Sequence, residues 1–199
     1  TKTTRKCRIN PPRHVKPFPK MCAQERPVNP ASSKRPYKKP NGMVMSKAIF
    51  IDQHGSSDVL TFRDHDLPPP GAGQIQVKNA AIGVNFIDIY QRRGLYPIGL
   101  PAILGSECAG VIGAIGDGVT GLAVGDRVAC LTGTSAYAEY SNVAAVSAAK
   151  IPDSIDNDIA AAVFLKGLTT EMLLRQVYLL KAEDTCLVHA AAGGVGTIL

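Results

Sequence analysis

From Met45 onward, apolar and polar positions change over in short runs. Lys47–Asp52 and Leu60–Asp64 are short strand candidates, separated by the turn cluster His54-Gly55-Ser56-Ser57. Pro68-Pro69-Pro70-Gly71 then breaks the chain. Gln74–Ile82 starts with clear alternation, which suits a half-buried strand. Phe86–Gly94 reads as a short helix ended by glycine. Cys108–Ile115 is an apolar strand punctuated by glycine. Gly125-Asp126 turns the chain into a strand at Arg127–Leu131, and Ala136–Val146 supplies more strand. So many short strands with glycine turns predict a barrel or a sandwich.

The period changes after Pro152. Ile155–Phe164 is alanine-rich, and Gly167–Leu180 places its apolar residues at helical spacing. Thr185–Ala190 is a compact apolar strand candidate, followed at once by Ala191-Ala192-Gly193-Gly194-Val195-Gly196. Helix, strand and glycine-rich turn in this order open a nucleotide-binding βαβ unit. A lone first strand with the start of its helix cannot bury itself, so the sequence reads as the front of a longer protein.

Composition sets residues 1–44 apart. They hold 8 of the 14 prolines, 12 basic residues and 1 acidic residue, a balance of +11, whereas residues 45–199 carry −5. The net +6 of the 199-residue chain therefore belongs to a tail. That tail is expected to be disordered, because its sparse apolar residues cannot offset ordering entropy. Met45, followed directly by a strand, reads as a natural beginning. The prolines argue against the amphipathic helix of a transit peptide. Nucleic-acid binding is not expected except through this basic tail. No run of eighteen apolar residues exists, so no membrane span is expected. Five cysteines, at 7, 22, 108, 130 and 186, form no CxxC pair, which favours a reduced, cytoplasmic setting.

Two segments carry candidate chemistry. Gly193, Gly194 and Gly196 would let a phosphate approach backbone N–H groups, but they lack GxGxxG spacing, so a phosphate cradle and a ligand-free turn both stay open. The other segment is Asn85-Phe-Ile-Asp-Ile-Tyr-Gln-Arg-Arg-Gly-Leu-Tyr-Pro97. It resembles the active-site stretch of the zinc-independent quinone oxidoreductases, the zeta-crystallin-like branch of the medium-chain dehydrogenase/reductase superfamily. The resemblance extends through Gly105-Ser-Glu-Cys-Ala-Gly110 to Gly116, then Val119 and Gly125-Asp-Arg-Val128. Phe164-Leu-Lys-Gly-Leu-Thr169 and His189-Ala-Ala-Ala-Gly-Gly-Val-Gly196 complete it.

The resemblance implies a mainly β fold with some α. A GroES-like, partly open β-barrel over residues 45–165 would be followed over 166–199 by the opening helix, strand and glycine turn of a truncated Rossmann domain. It implies NADPH as cofactor, a quinone or other small electrophilic carbonyl as hydride acceptor, and a homodimer. The 199 residues alone would hold NADPH very weakly and show no turnover, since the adenine and ribose pocket needs later strands. Asn85 and Thr169 would lie at the nicotinamide, with Gly193, Gly194, Val195 and Gly196 at the phosphates. Asp88 and Tyr90 fall on the substrate side, Asp88 also as a brace for the short helix. Donors that face an acceptor's oxygens stabilise the charge they gain, and Asn85, Tyr90 and Tyr96 can all donate. Tyr96 matches a proposed proton donor in related enoyl-thioester reductases. An enoyl-thioester or alkenal reductase is thus an alternative, and so is a non-catalytic crystallin-like or RNA-binding protein. Asn85 and Ser106 stand where zinc-dependent relatives carry Cys and His, so no metal is expected. Glu107 reads as a structural carboxylate at a domain seam.

Overall fold

The computed structural model describes residues 42–199. Strand β1, Val44–Ile51, pairs antiparallel with β2, Thr61–Leu67, and at its far end with β4, Ala102–Ile103. Its side chains alternate as a two-residue period requires: Val44, Ser46 and Ala48 are buried, Met45 and Lys47 face out. A second sheet has the order β7-β3-β5-β6-β8. Its strands are β3, Gln74–Gly83; β5, Glu107–Ile115; β6, Arg127–Leu131; β7, Tyr140–Ala144; and β8, Ala148–Lys150. The two sheets meet where Ala48 bridges Ala138 and the Ile49 N–H donates to Tyr137 O at 2.8 Å. The described strands thus form two joined sheets, not a closed barrel. Ile75, Val77, Cys108, Ile112, Val128, Cys130, Ala136 and Val143 fill the core.

Helix α1, Phe86–Arg92, directly follows β3. Helix α2, Asn157–Glu171, lays Ala160 and Ala161 on Ala109, Ala129 and Ile151. These small residues let the helix backbone lie close to the sheet. The contact is tightest at Gly83, where a Cβ would collide with the Glu107 carboxylate and with Ala161 O.

Three readings of the sequence need correction. Val44, placed in the tail, is buried and begins β1; the rest of the tail up to residue 41 lies outside the described residues. Gly167–Leu180 does not form a helix of its own. Its first part continues α2, and Met172–Val177 widens into π-type turns. Thr185–Ala190 has an apolar strand sequence but forms no ladder. A strand needs a neighbour to take its N–H and C=O groups, and no described strand lies beside it.

Candidate active site

The site begins where β3 hands over to α1. Asn85 is extended at φ −131°, which ends the strand and opens the helix. Asp88, three residues on, accepts the Asn85 backbone N–H at 2.9 Å. The same carboxylate accepts the Ser106 hydroxyl at 2.7 Å and the Tyr137 hydroxyl at 2.9 Å. It is 3% exposed. Burial, and then the charge and hydrogen bond of Asp88, hold the Tyr137 phenol above its ordinary range, so it remains a donor. Asp88 therefore braces the start of α1, and its place on the substrate side gives way to that role. With three protein donors and almost no exposure, its carboxylate has no opening toward a ligand.

The other end of α1 is clamped by the loop after β1. The His54 ring lies with Nδ1 3.1 Å from Gln91 O, and the Gly55 N–H donates to Arg92 O at 3.0 Å. Gly94 turns the chain at φ +77°, and a Cβ there would sit 3.0 Å from the His54 ring. Only glycine combines that dihedral with that closeness. The turn brings the N–H groups of Leu95 and Tyr96 back to Tyr90 O, at 2.9 and 3.3 Å. The Tyr96 ring consequently meets the Tyr90 ring edge to face, centroids 5.5 Å apart, and Phe86 stacks with Tyr90 at 6.4 Å. Phe86 is 75% and Tyr96 53% exposed. These three rings make an open aromatic wall.

The Asn85 side chain joins the charged pair of Glu107 and Lys166. Its Nδ2 donates to Glu107 Oε1 at 2.8 Å, while Lys166 Nζ donates to Asn85 Oδ1 at 3.0 Å and to Glu107 Oε1 at 2.9 Å. Glu107 Oε2 accepts the Leu165 N–H at 2.7 Å. Glu107 is fully buried, and Lys166 keeps 23% of its side chain exposed. Glu107 thus ties β5 to α1 and to α2.

The glycine turn borders a cavity of about 520 Å³ that also touches Phe86, Tyr178, Cys186 and His189. A Cβ on Gly196 would stand 2.6 Å from Ala190 O, and one on Gly194 2.7 Å from the Lys166 stem. The N–H groups of Gly194, Val195 and Gly196 reach no backbone acceptor among the described residues. Donors left open in a cradle this tight suit an anionic group. The Thr169 hydroxyl donates to Leu165 O in its own helix at 2.9 Å, and part of the residue stays accessible.

Two residues of this assembly were not evident as site residues in the sequence. Lys166 lies inside Phe164-Leu-Lys-Gly-Leu-Thr169, a segment read for its threonine alone. Tyr137 lies in an apolar run that gives no hint of a partner on α1.

The donor set argues against zinc. Asn85 offers an amide and Ser106 a hydroxyl, and both are engaged by carboxylates. Cys108 pairs across the strands with Cys130 in the core, and the hydrogen bond between them, with burial, pushes the Cys108 thiol far up. Such a thiol is not the thiolate a metal takes. Purified protein is therefore expected to carry no stoichiometric zinc, and a chelator should leave its melting temperature unchanged. Elemental analysis showing one tightly held zinc per chain would refute this.

Residues 71–153 match the alcohol dehydrogenase GroES-like domain family. A quinone oxidoreductase of Pseudomonas aeruginosa is 52% identical over 154 residues, which are 76% of this chain and 47% of that protein. A 2-haloacrylate reductase of a Burkholderia species is 39% identical over 164 residues, 79% of this chain and 49% of that protein. The crystal structure of Escherichia coli quinone oxidoreductase complexed with NADPH is similar at a TM-score of 0.70 and 44% identity, over 75% of this chain and 47% of that one. The chain spans about half the length of the curated relatives it matches.

Proposed function

We propose, from the match of residues 71–153 to the alcohol dehydrogenase GroES-like domain family, that the chain contributes the substrate side of an NADPH-dependent quinone reductase. One observation carries the reading: Phe86, from the aromatic wall on α1, lines the same cavity as Gly193–Gly196. A flat electrophile against the wall and a dinucleotide on the glycine turn would then be neighbours. Residues 45–165 would form the catalytic domain and 166–199 the opening of the cofactor domain.

NADPH, when bound, supplies a hydride. The chain's own residues do the rest. Gly194, Val195 and Gly196 hold the phosphates with backbone N–H groups. Phe86, Tyr90 and Tyr96 pack against the planar acceptor and exclude water from one of its faces. The acceptor's oxygens gain negative charge as the hydride arrives. The Tyr96 and Tyr90 hydroxyls and the Asn85 amide donate to those oxygens, and Tyr96 gives up the proton. Preset donors of this kind lower the barrier because they need no reorganisation as charge develops.

In the protein extended through the whole cofactor domain, replacing Asn85 with alanine is expected to slow NADPH-dependent quinone reduction by about a hundredfold. Tyr96→Phe should slow it by about tenfold or more. Arg93→Ala, on the exposed end of α1, should leave it within about twofold by the same comparison. Steady-state rates indifferent to both Asn85 and Tyr96 would remove the site from α1. The 2-haloacrylate reductase relative and the exposed Tyr96 phenol favour a second reading, reduction of an activated alkene. Faster turnover of an enoyl substrate than of a quinone would decide for it.

A further inference from the structure

We propose that Lys166 is a positioning residue: with Glu107 it fixes the orientation of the Asn85 amide, leaving one Nδ2–H of that amide for a ligand's oxygen. The inference deepens the proposed function and rests on it for the identity of the ligand. An asparagine amide presents an oxygen and an NH₂ of almost equal size, so its orientation follows from its neighbours. Here the neighbours leave no choice. Lysine has donors and no acceptor; an ionised carboxylate has acceptors and no donor. Lys166 Nζ, 3.0 Å from Asn85 Oδ1, and Glu107 Oε1, 2.8 Å from Nδ2, can be satisfied by one orientation only.

The same two groups are locked to each other at 2.9 Å. The charge of Lys166 is thereby matched by a carboxylate with no exposure, so the lysine does not serve as a free cation for the reaction. Its effect passes through the amide. Oδ1 accepts from a cation and one Nδ2–H donates to an anion, which polarises the amide and strengthens the remaining N–H as a donor. Lys166 also ties this arrangement to the glycine turn. Its stem lies where a Cβ on Gly194 would be, 2.7 Å from Cδ and 2.9 Å from Cε. A shift of the turn would therefore press on the side chain that holds Asn85.

The test separates orientation from activity. In the isotopically labelled chain, the two Asn85 side-chain amide protons give separate resonances. The proton on Glu107 is expected to exchange with water about tenfold more slowly than its partner. Lys166→Met alone would leave a buried carboxylate unpaired and could unfold the chain. The informative variant is therefore the double replacement Lys166→Met with Glu107→Gln, which removes both charges together. In it the two protons should exchange at similar rates, whereas Lys166→Arg should keep the difference. In turnover of the protein extended through the whole cofactor domain, with NADPH and a soluble quinone, the double variant should lose kcat by about tenfold with the NADPH KM little changed, and Lys166→Arg should recover most of it. Equal exchange in the wild-type chain, or an unchanged difference in the double variant, overturns the proposal. A wild-type protein extended through the whole cofactor domain that shows no quinone turnover would instead remove the functional reading and leave the amide result standing.

Discussion

Gly83→Ala is expected to destabilise the fold by about 4 kcal/mol or more, with a drop in melting temperature of roughly 10 °C. The added Cβ would overlap Oε1 and Cγ of Glu107 on one side and Ala161 O on the other. Neither side can yield cheaply. Ala161 O belongs to α2, whose Ala160 and Ala161 already rest on the sheet. Glu107 is held by Asn85, Lys166 and the Leu165 N–H, so moving it would strand a buried carboxylate and a lysine together. Overpacking alone costs about 1–3 kcal/mol, and disturbing a buried ion pair adds more. Gly73 is the control. It has φ +72° but nothing within 4 Å of where a Cβ would stand, so Gly73→Ala should cost only about 1 kcal/mol of backbone strain. Thermal melts of the two variants decide: a Gly83→Ala protein as stable as Gly73→Ala would show that the seam is looser than described.

What the sequence disclosed about the fold followed from local signals. β3 and β6 fell where alternation and glycine turns placed them, because half-buried strands must alternate whatever their partners. The short helix at Phe86 was legible for the same reason, down to the glycine that ends it. The missing ladder at Thr185–Ala190 was not legible. Its apolar residues satisfy every local rule for a strand, and whether a strand forms depends on a neighbour the local pattern cannot report. At the site, Asn85, Tyr90 and Tyr96 stood out because they share one segment that resembles a known active-site stretch. Lys166 lies 81 positions from Asn85 and Tyr137 lies 49 from Asp88. Contacts across such separations arise from the meeting of β5, α1 and α2, and no spacing in the chain encodes them. Glu107 was legible as structural because a charge inside a run of small apolar residues must be paired when buried.

Asp88→Ala is expected to cost about 3–5 kcal/mol, since removal of one partner of a buried charged network leaves the others uncompensated. Three donors lose their acceptor: the Ser106 hydroxyl, the Tyr137 hydroxyl and the Asn85 N–H. Each is an unpaired polar group of roughly 1–3 kcal/mol when buried. The loss begins at the first turn of α1, so the wall of Phe86, Tyr90 and Tyr96 should loosen before the sheets do. Asp88→Asn tests the chemistry separately from the fold. It retains the shape and one acceptor oxygen but turns an NH₂ toward a site that receives only donors, and it should cost about 1–3 kcal/mol. If Asp88 braces α1, the pH–rate profile of Asp88→Asn keeps the wild-type shape while kcat falls modestly, because the carboxylate never meets the substrate. If Asp88 were a general base, the limb of the profile that reports its ionisation would vanish. Tyr137 sharpens the distinction. Its phenol is held above the ordinary range and so stays protonated through neutral pH, donating to Asp88 throughout. A carboxylate so committed to protein donors is expected to lower the melting temperature when it is removed and to leave the proton transfers of the reaction to Tyr96.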